Sequence, residues 1–61
     1  MVVEVWEAYK RDSQSAVIAR TEEEARRYGV GFFGQIDLLA KAKVELCEAE
    51  IKELDEKGYI L

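Results

Sequence analysis

The sequence predicts a small α+β domain of the ββαβ type, in which a hairpin and a later strand form an antiparallel sheet with one short helix. Three observations lead to this class: period-2 alternation over residues 2–9, a polar loop followed by a second apolar run, and a helix-capping motif directly after it. A chain of 61 residues has room for a single domain, residues 1–61, with a thin core. Proteins of this size bury only about 60% of the surface that the unfolded chain exposes.

The first two elements are expected to form a β-hairpin. Alternation over residues 2–9 gives a strand with two faces, one carrying Val3, Val5 and Tyr9 and the other carrying Val2, Trp6 and Ala8. Residues 10–14 are polar and suit a hairpin loop, and residues 15–20 suit a short second strand. We expect the helix to cover the face of Val3, Val5 and Tyr9, which leaves Trp6 uncovered.

A capping box marks the start of the helix. In Thr21-Glu-Glu-Glu24 the threonine hydroxyl can accept the amide of Glu24, whose side chain can reach back to the cap. Three glutamates in the first turn, with Arg26 and Arg27 following, match the helix dipole. We expect this helix to stop at Gly29.

The second half of the chain fits two patterns. Residues 29–34 form a glycine-rich aromatic connector, and residues 35–40 suit one or two helical turns. Residues 42–54 fit a helix, because apolar residues recur at 3.6-residue spacing. They also fit a strand with a bulge, because apolar and charged residues alternate over residues 47–52. We expect the strand, since a hairpin alone is unstable and a third strand gives the sheet one covered face. A ββα fold with a long C-terminal helix is the alternative.

The segment Ala-Arg-Thr-Glu-Glu-Glu-Ala at residues 19–25, placed after a hairpin, resembles a class of short uncharacterised ββαβ proteins of phage and prokaryotic genomes. In that class the second strand runs directly into a Ser/Thr-Glu-Glu-Glu-Ala helix start, and a Glu- and Val-rich strand closes the sheet. The resemblance covers residues 2–27 and, more loosely, residues 44–54. It implies the fold and no common activity.

Several chemical classes are disfavoured by composition. With one cysteine and no histidine, the chain cannot form an internal disulfide or a conventional Cys/His zinc site. We expect Cys47 to be a small buried apolar side chain. Gly29, Gly31 and Gly34 match Gly-x-Gly-x-x-Gly but follow a helix, whereas the dinucleotide motif follows a strand. We therefore expect no catalytic residue, no metal and no cofactor.

Charge and hydropathy limit where the protein can be located and which partners it can bind. The longest uncharged run is residues 28–36, whereas a membrane-spanning helix needs about 20 apolar residues. The N-terminus shows no basic leader, so we expect a cytoplasmic protein without membrane contact. A net charge of −4 makes nucleic-acid binding unlikely, because that function needs clustered Lys and Arg.

A thin core without a disulfide or metal predicts a homo-oligomer, with a dimer as the expected form. The candidate interface residues are Val2, Trp6, Ala8, Phe32, Phe33 and Tyr59. A candidate acidic patch consists of Glu48, Glu50, Glu53, Asp55 and Glu56.

The expected function is a non-catalytic interaction protein that self-associates and binds a macromolecular partner, another protein in the first instance. One form is a phage-type inhibitor whose acidic patch is steered to the basic surface of a host protein. A first alternative is a small-ligand binder with a pocket at a dimer interface, lined by Phe32, Phe33 and Tyr59. A second is a nucleic-acid-binding module using Lys10, Arg11, Arg20, Arg26 and Arg27.

Overall fold

The computed structural model describes residues 1–61, which form four strands and two helices. The elements are β1 (Val2–Tyr9), β2 (Ala16–Ala19), α1 (Glu22–Phe33), β3 (Leu38–Glu45), α2 (Glu48–Lys57) and β4 (Tyr59–Ile60). The strands form one open sheet in the order β3-β1-β2-β4, and all neighbouring strands are antiparallel. The predicted α+β class is confirmed, and the structure adds a second helix and a short fourth strand.

The two helices cover opposite faces of the sheet. Ile18 lies opposite Glu7 of β1. Since alternate side chains of a strand point to opposite faces, Val5 and Ile18 lie on one side of the sheet and Ala8 on the other. On the first side a core cluster includes Val3, Val5, Ile18 and Leu54, and Leu54 comes from α2. On the second side α1 approaches Ala8 so closely that a Cβ on Gly29 would lie 2.7 Å from the Ala8 Cβ.

The prediction that α1 covers Val3, Val5 and Tyr9 is therefore wrong. The α1 face of the sheet carries small residues, among them Ala8 and Ala19, which are both 0% exposed. Small side chains let a helix with Ala25 and Gly29 on its buried side come close to the sheet. The larger aliphatic side chains of the opposite face are covered by α2, an element that the sequence did not separate from a strand.

The start of α1 was predicted correctly and its end was not. Thr21 has an extended backbone and its hydroxyl oxygen accepts the Glu24 amide at 3.1 Å, as the capping box requires. The Glu24 carboxylate accepts from the Thr21 hydroxyl at 3.2 Å. The helix passes through Gly29 and ends at Gly34, whose φ of 87° is in the left-handed region. Gly29 is used for close packing, which leaves the helix hydrogen bonds intact.

Residues 35–57 contain both of the patterns that competed in the sequence, one after the other. The predicted helical turns at residues 35–40 are wrong, because β3 begins at Leu38. Of the predicted 42–54 strand, the part up to Glu45 belongs to β3 and the part from Glu48 belongs to α2. The change from strand to helix falls at Cys47, which is the N-cap residue of α2. Its side chain is exposed, so the prediction that it is buried is wrong.

Candidate functional site

The largest concave feature lies beside β4, at the edge of the sheet, where residues from the C-terminal halves of both α1 and α2 line it. It has a volume of 440 Å³ and is open on one side. Its lining residues come from β2, α1, α2 and β4, and they include Val17, Tyr28, Gly31, Phe32, Tyr59 and Ile60. Gly31 leaves bare backbone at this site, because nothing lies within 4 Å of the position that a Cβ would occupy.

Three of the seven exposed large apolar side chains of the chain lie in or beside this cavity. Phe32 is 52% exposed and Ile60 is 47% exposed, and the following residue, Leu61, is 48% exposed. We call Tyr28, Phe32, Tyr59, Ile60 and Leu61 the β4 surface. Solvent-facing apolar residues that adjoin one another in this way are typical of binding sites, whereas scattered ones are not.

Tyr59 is held in place by a hydrogen bond across the α2 face. Its hydroxyl donates to Oε2 of Glu50 at 2.9 Å, and Oε1 of Glu50 accepts the Cys47 amide at 2.8 Å. The hydrogen bond to the carboxylate raises the pKa of Tyr59. The Cys47 amide, followed by the Cys47 and Tyr59 side chains, lowers the pKa of Glu50. One carboxylate thus ties the start of α2 to β4.

The backbone of β4 offers little for strand pairing. The strand has two residues, and Leu61 donates its amide to Ala16 at 2.8 Å. Because inward and outward backbone groups alternate along an antiparallel strand, only Ile60 turns its amide and carbonyl to the outside. Association at this edge must therefore come from side chains.

The structure brings together some of the predicted interface residues and separates others. Phe32 and Tyr59 line the same cavity. Phe33 does not line the cavity, but it packs edge-on against Phe32, with the two ring centres 4.8 Å apart and an interplanar angle of 76°. Val2 lies at the start of β1, opposite Glu45 of β3, and is exposed. Ala8 is wrong as an interface residue, because it lies buried beneath α1.

Trp6 lies on the face that α1 partly covers. Its half-buried side chain lines a shallow depression with Glu22 and Arg26 of α1. The Nζ of Lys41 is 5.8 Å from the centre of its ring. We expected Trp6 to be a contact residue because no element was expected to cover its face, but α1 covers part of that face.

The predicted acidic patch is in part neutralised within the chain. Its members, all on α2, are Glu48, Glu50, Glu53, Asp55 and Glu56. Glu53 lies 3.4 Å from Nζ of Lys57, and Asp55 lies 2.7 Å from Nε of Arg20. Glu50 accepts a hydrogen bond from Tyr59 but keeps its charge, so two of the five carboxylates are paired with cations and the patch attracts a basic surface less than the sequence suggests.

The predicted basic set is similarly divided. Besides Arg20, Arg26 pairs with Glu22 at 3.4 Å, and the guanidinium carbon of Arg27 lies 5.3 Å from the centre of the Tyr28 ring. Lys10 and Arg11 lie in the turn after β1. Two of the five cations are therefore paired with carboxylates, which weakens a phosphate-binding interpretation.

Sequence reasoning did not find Tyr28, Ile60 and Leu61 as members of a surface. The signal available was the apolar run Tyr59-Ile60-Leu61 after Gly58, because a short apolar run that follows a turn residue suits a strand.

No three Cys, Asp or Glu side chains lie close enough together to hold a metal ion. Neither helix has the length and apolar character needed to cross a membrane. Comparisons with protein-family models, with curated proteins and with solved structures give no match to this chain.

Proposed function

We propose that this chain is a non-catalytic protein-interaction module that self-associates through the β4 surface and binds a further protein. The observation that carries this proposal is the clustering of half-exposed Phe32, Ile60 and Leu61 beside the largest cavity. A monomer leaves these side chains in water, and a second copy that covers them supplies the burial that a thin core lacks. Only 12 of the 61 residues are buried in the single chain.

The exposed area sets the strength of the expected dimer. Full burial of a large apolar side chain contributes about 1.5–3 kcal/mol. Since Phe32, Ile60 and Leu61 are each about half exposed, their six copies in a dimer contribute roughly 5–9 kcal/mol. Association costs at least about 4 kcal/mol in lost freedom, which leaves at most about 5 kcal/mol, so we expect a dissociation constant of about 0.2 mM or weaker.

Sedimentation equilibrium from about 10 µM to about 1 mM tests this proposal, because the expected dissociation constant falls in that range. The parent should show an average mass that rises from the 7.0 kDa of one chain towards twice that value. Phe32→Glu should remain monomeric, because the carboxylate would have to be buried. The matched control is Leu38→Glu, which changes a residue of similar exposure, 58%, at the opposite edge of the sheet and should leave association intact.

Two results would contradict the proposal. One is a parent mass of 7.0 kDa at every concentration. The other is a loss of association in Leu38→Glu equal to that in Phe32→Glu, because the β4 surface would then have no special role.

A second candidate function is small-ligand binding in the same cavity. Its 440 Å³ volume falls within the usual range of ligand sites, about 300–1,000 Å³, and Phe32 and Tyr59 both line it. Mass spectrometry of the supernatant after denaturing purified protein tests this candidate. A stoichiometric small molecule favours it, and its absence from the parent together with a concentration-dependent mass favours self-association.

We place this module in the cytosol. The support is Cys47, which is exposed and has no second cysteine to pair with. A lone surface thiol suits a reducing compartment, because an oxidising one would couple it to other thiols.

A further inference from the structure

The second edge of the sheet, formed by β3, differs from the β4 edge in having a long free backbone. β3 has eight residues and pairs only with β1. Met1 and Leu46 exchange two hydrogen bonds, from the Met1 amino group to the Leu46 carbonyl at 2.8 Å and from the Leu46 amide to the Met1 carbonyl at 2.9 Å. They therefore form a hydrogen-bonded pair of the antiparallel ladder.

The phase of that pair fixes which β3 groups are free. Hydrogen-bonded pairs recur at every second residue, so Val44, Ala42 and Ala40 direct their amides and carbonyls towards β1. The intervening residues turn theirs outward, and these are Leu39, Lys41, Lys43 and Glu45. The β3 edge thus presents four residues with free backbone groups at the spacing that another strand requires.

Two lysines give this edge a charge pattern. Lys41 and Lys43 are exposed and lie on one face of the strand, since they are two residues apart. Neither forms an ion pair within the chain, and Lys41 contacts only the Trp6 ring among charged or aromatic partners. Within the sheet, the residues of β1 directly opposite them are Trp6 and Glu4. Glu4 of β1 therefore already places one carboxylate opposite Lys43, on the side away from the free edge.

The same lysines disfavour a second copy of the chain at this edge. If two copies paired through their β3 edges in a symmetric antiparallel arrangement, the residues with free backbone groups would have to lie opposite one another. A two-fold axis at Lys41, Ala42 or Lys43 would then place a lysine of one copy opposite a lysine of the other. Like charges directly opposite each other destabilise a strand pair. Axes at Ala40 or Val44 avoid this contact but overlap only residues 38–42 or 43–45 of the strand. Lysines on an edge strand are a known protection against self-pairing.

We propose that the β3 edge binds an extended acidic segment of a partner protein, which adds to the sheet as a fifth, antiparallel strand. Two carboxylates at positions i and i+2 of that segment lie opposite Lys41 and Lys43. The residue between the two carboxylates and the residues on either side of them are apolar, because they lie on the other face, which carries the half-buried Ala42 and Val44. This inference rests on the proposed role in protein binding and does not depend on self-association at the β4 surface.

Capped peptides of about seven residues test the inference, since that is a usual strand length. The probe is Thr-Val-Glu-Val-Glu-Val-Thr, and the matched control has lysine in place of both glutamates. Titrations followed by amide NMR should show binding of the acidic peptide at least about tenfold tighter than the basic one, which corresponds to about 1.4 kcal/mol. The preference should shrink in about 0.5 M salt, because these charges are exposed.

Hydrogen exchange of the backbone amides supplies the second readout. Without peptide, Leu39, Lys41, Lys43 and Glu45 should exchange fast while Ala40, Ala42 and Val44 are protected by β1. Saturating acidic peptide should protect the first group. The same peptide with N-methyl groups on its strand-facing amides should not do so, because the methyl groups clash with the β3 carbonyls and keep the peptide from pairing with the strand.

Variants separate charge from backbone pairing. Lys41→Gln/Lys43→Gln should lose the preference for acidic over basic peptide, and Lys52→Gln, an exposed lysine of α2 without an ion pair, should keep it. Equal affinity for both peptides in the parent, or peptide-induced protection confined to the β4 surface, would overturn the inference. Peptide binding by monomeric Phe32→Glu would show that the two sites are independent, so either can fail without the other.

Discussion

Two glycines on α1 allow the packing of this helix to be tested with a single kind of substitution. A Cβ at Gly29 would lie 2.7 Å from the Ala8 Cβ and 2.8 Å from Cγ2 of Ile36, whereas one at Gly31 meets nothing within 4 Å. Carbon atoms in contact prefer about 3.5–4.0 Å, so Gly29→Ala requires a shift of roughly 1 Å between helix and sheet. Ala8 cannot rotate away, because its Cβ is fixed to the backbone of β1.

The magnitudes follow from two terms. Alanine gains about 1 kcal/mol over glycine in a helix interior, and both variants share this term. Overpacking a tight contact costs about 1–3 kcal/mol, and only Gly29→Ala carries this cost. We expect Gly31→Ala to be more stable than the parent by up to about 1 kcal/mol and Gly29→Ala to be less stable than Gly31→Ala by about 1–3 kcal/mol.

Urea unfolding followed by circular dichroism, at one protein concentration for all three proteins, measures this difference. In thermal melts it corresponds to at least about 4 °C for a domain of this size. If the two variants have equal stability, α1 does not approach Ala8 as described, and the assignment of α1 to that face of the sheet is wrong.

Two further substitutions test local features of the fold. Thr21→Ala should cost about 1 kcal/mol in urea unfolding because it removes the N-cap, whereas Thr21→Ser should cost little; equal losses would show that the hydroxyl does not cap α1. Glu50→Gln should destabilise the protein most at neutral pH. The folded pKa of Glu50 is below its ordinary 4.5, mainly because the Cys47 amide donates to it, so its contribution is present above that value and is lost as pH falls through the folded pKa. Melting temperatures of parent and variant should converge as the pH falls below 4.5 and through the folded pKa of Glu50, and a constant gap would contradict the assignment. Glu56→Gln, without such partners, is the control.

The first half of the fold could be predicted because its signals are local. The strand at residues 2–9 and the helix start at Thr21 each depend on a few residues that are close together in the sequence, and the structure confirms both. Gly29 was misread as a helix stop because a glycine at a close approach and a glycine at a helix end look alike in sequence. The difference between them lies in Ala8, which is 21 residues away along the chain.

The second half was harder because strand and helix follow each other without a turn residue. Residues 46–47 change the structure without a glycine or proline, and the apolar stripe continues through them. The sequence signal for the start of α2 was a capping box with an unusual first residue. Glu50 accepts the Cys47 amide, although cysteine is not a usual N-cap residue.

The candidate surfaces could be predicted only in part for the same reason. Phe32 and Tyr59 meet because β4 pairs with β2 beneath α1, a long-range contact that requires the topology. The free edge of β3 likewise follows from strand order, which alternation does not reveal.

We expect the two edges of the sheet to have different partners, a second copy at the β4 surface and an acidic strand at β3. Sedimentation of the parent at about 1 mM, with excess acidic peptide, tests both assignments in one sample. We expect a main species of two chains with two peptides, because the sites lie at opposite edges and do not compete. One chain with one peptide, in a sample that is dimeric without peptide, would contradict the claim by showing that β3 itself is the dimer interface.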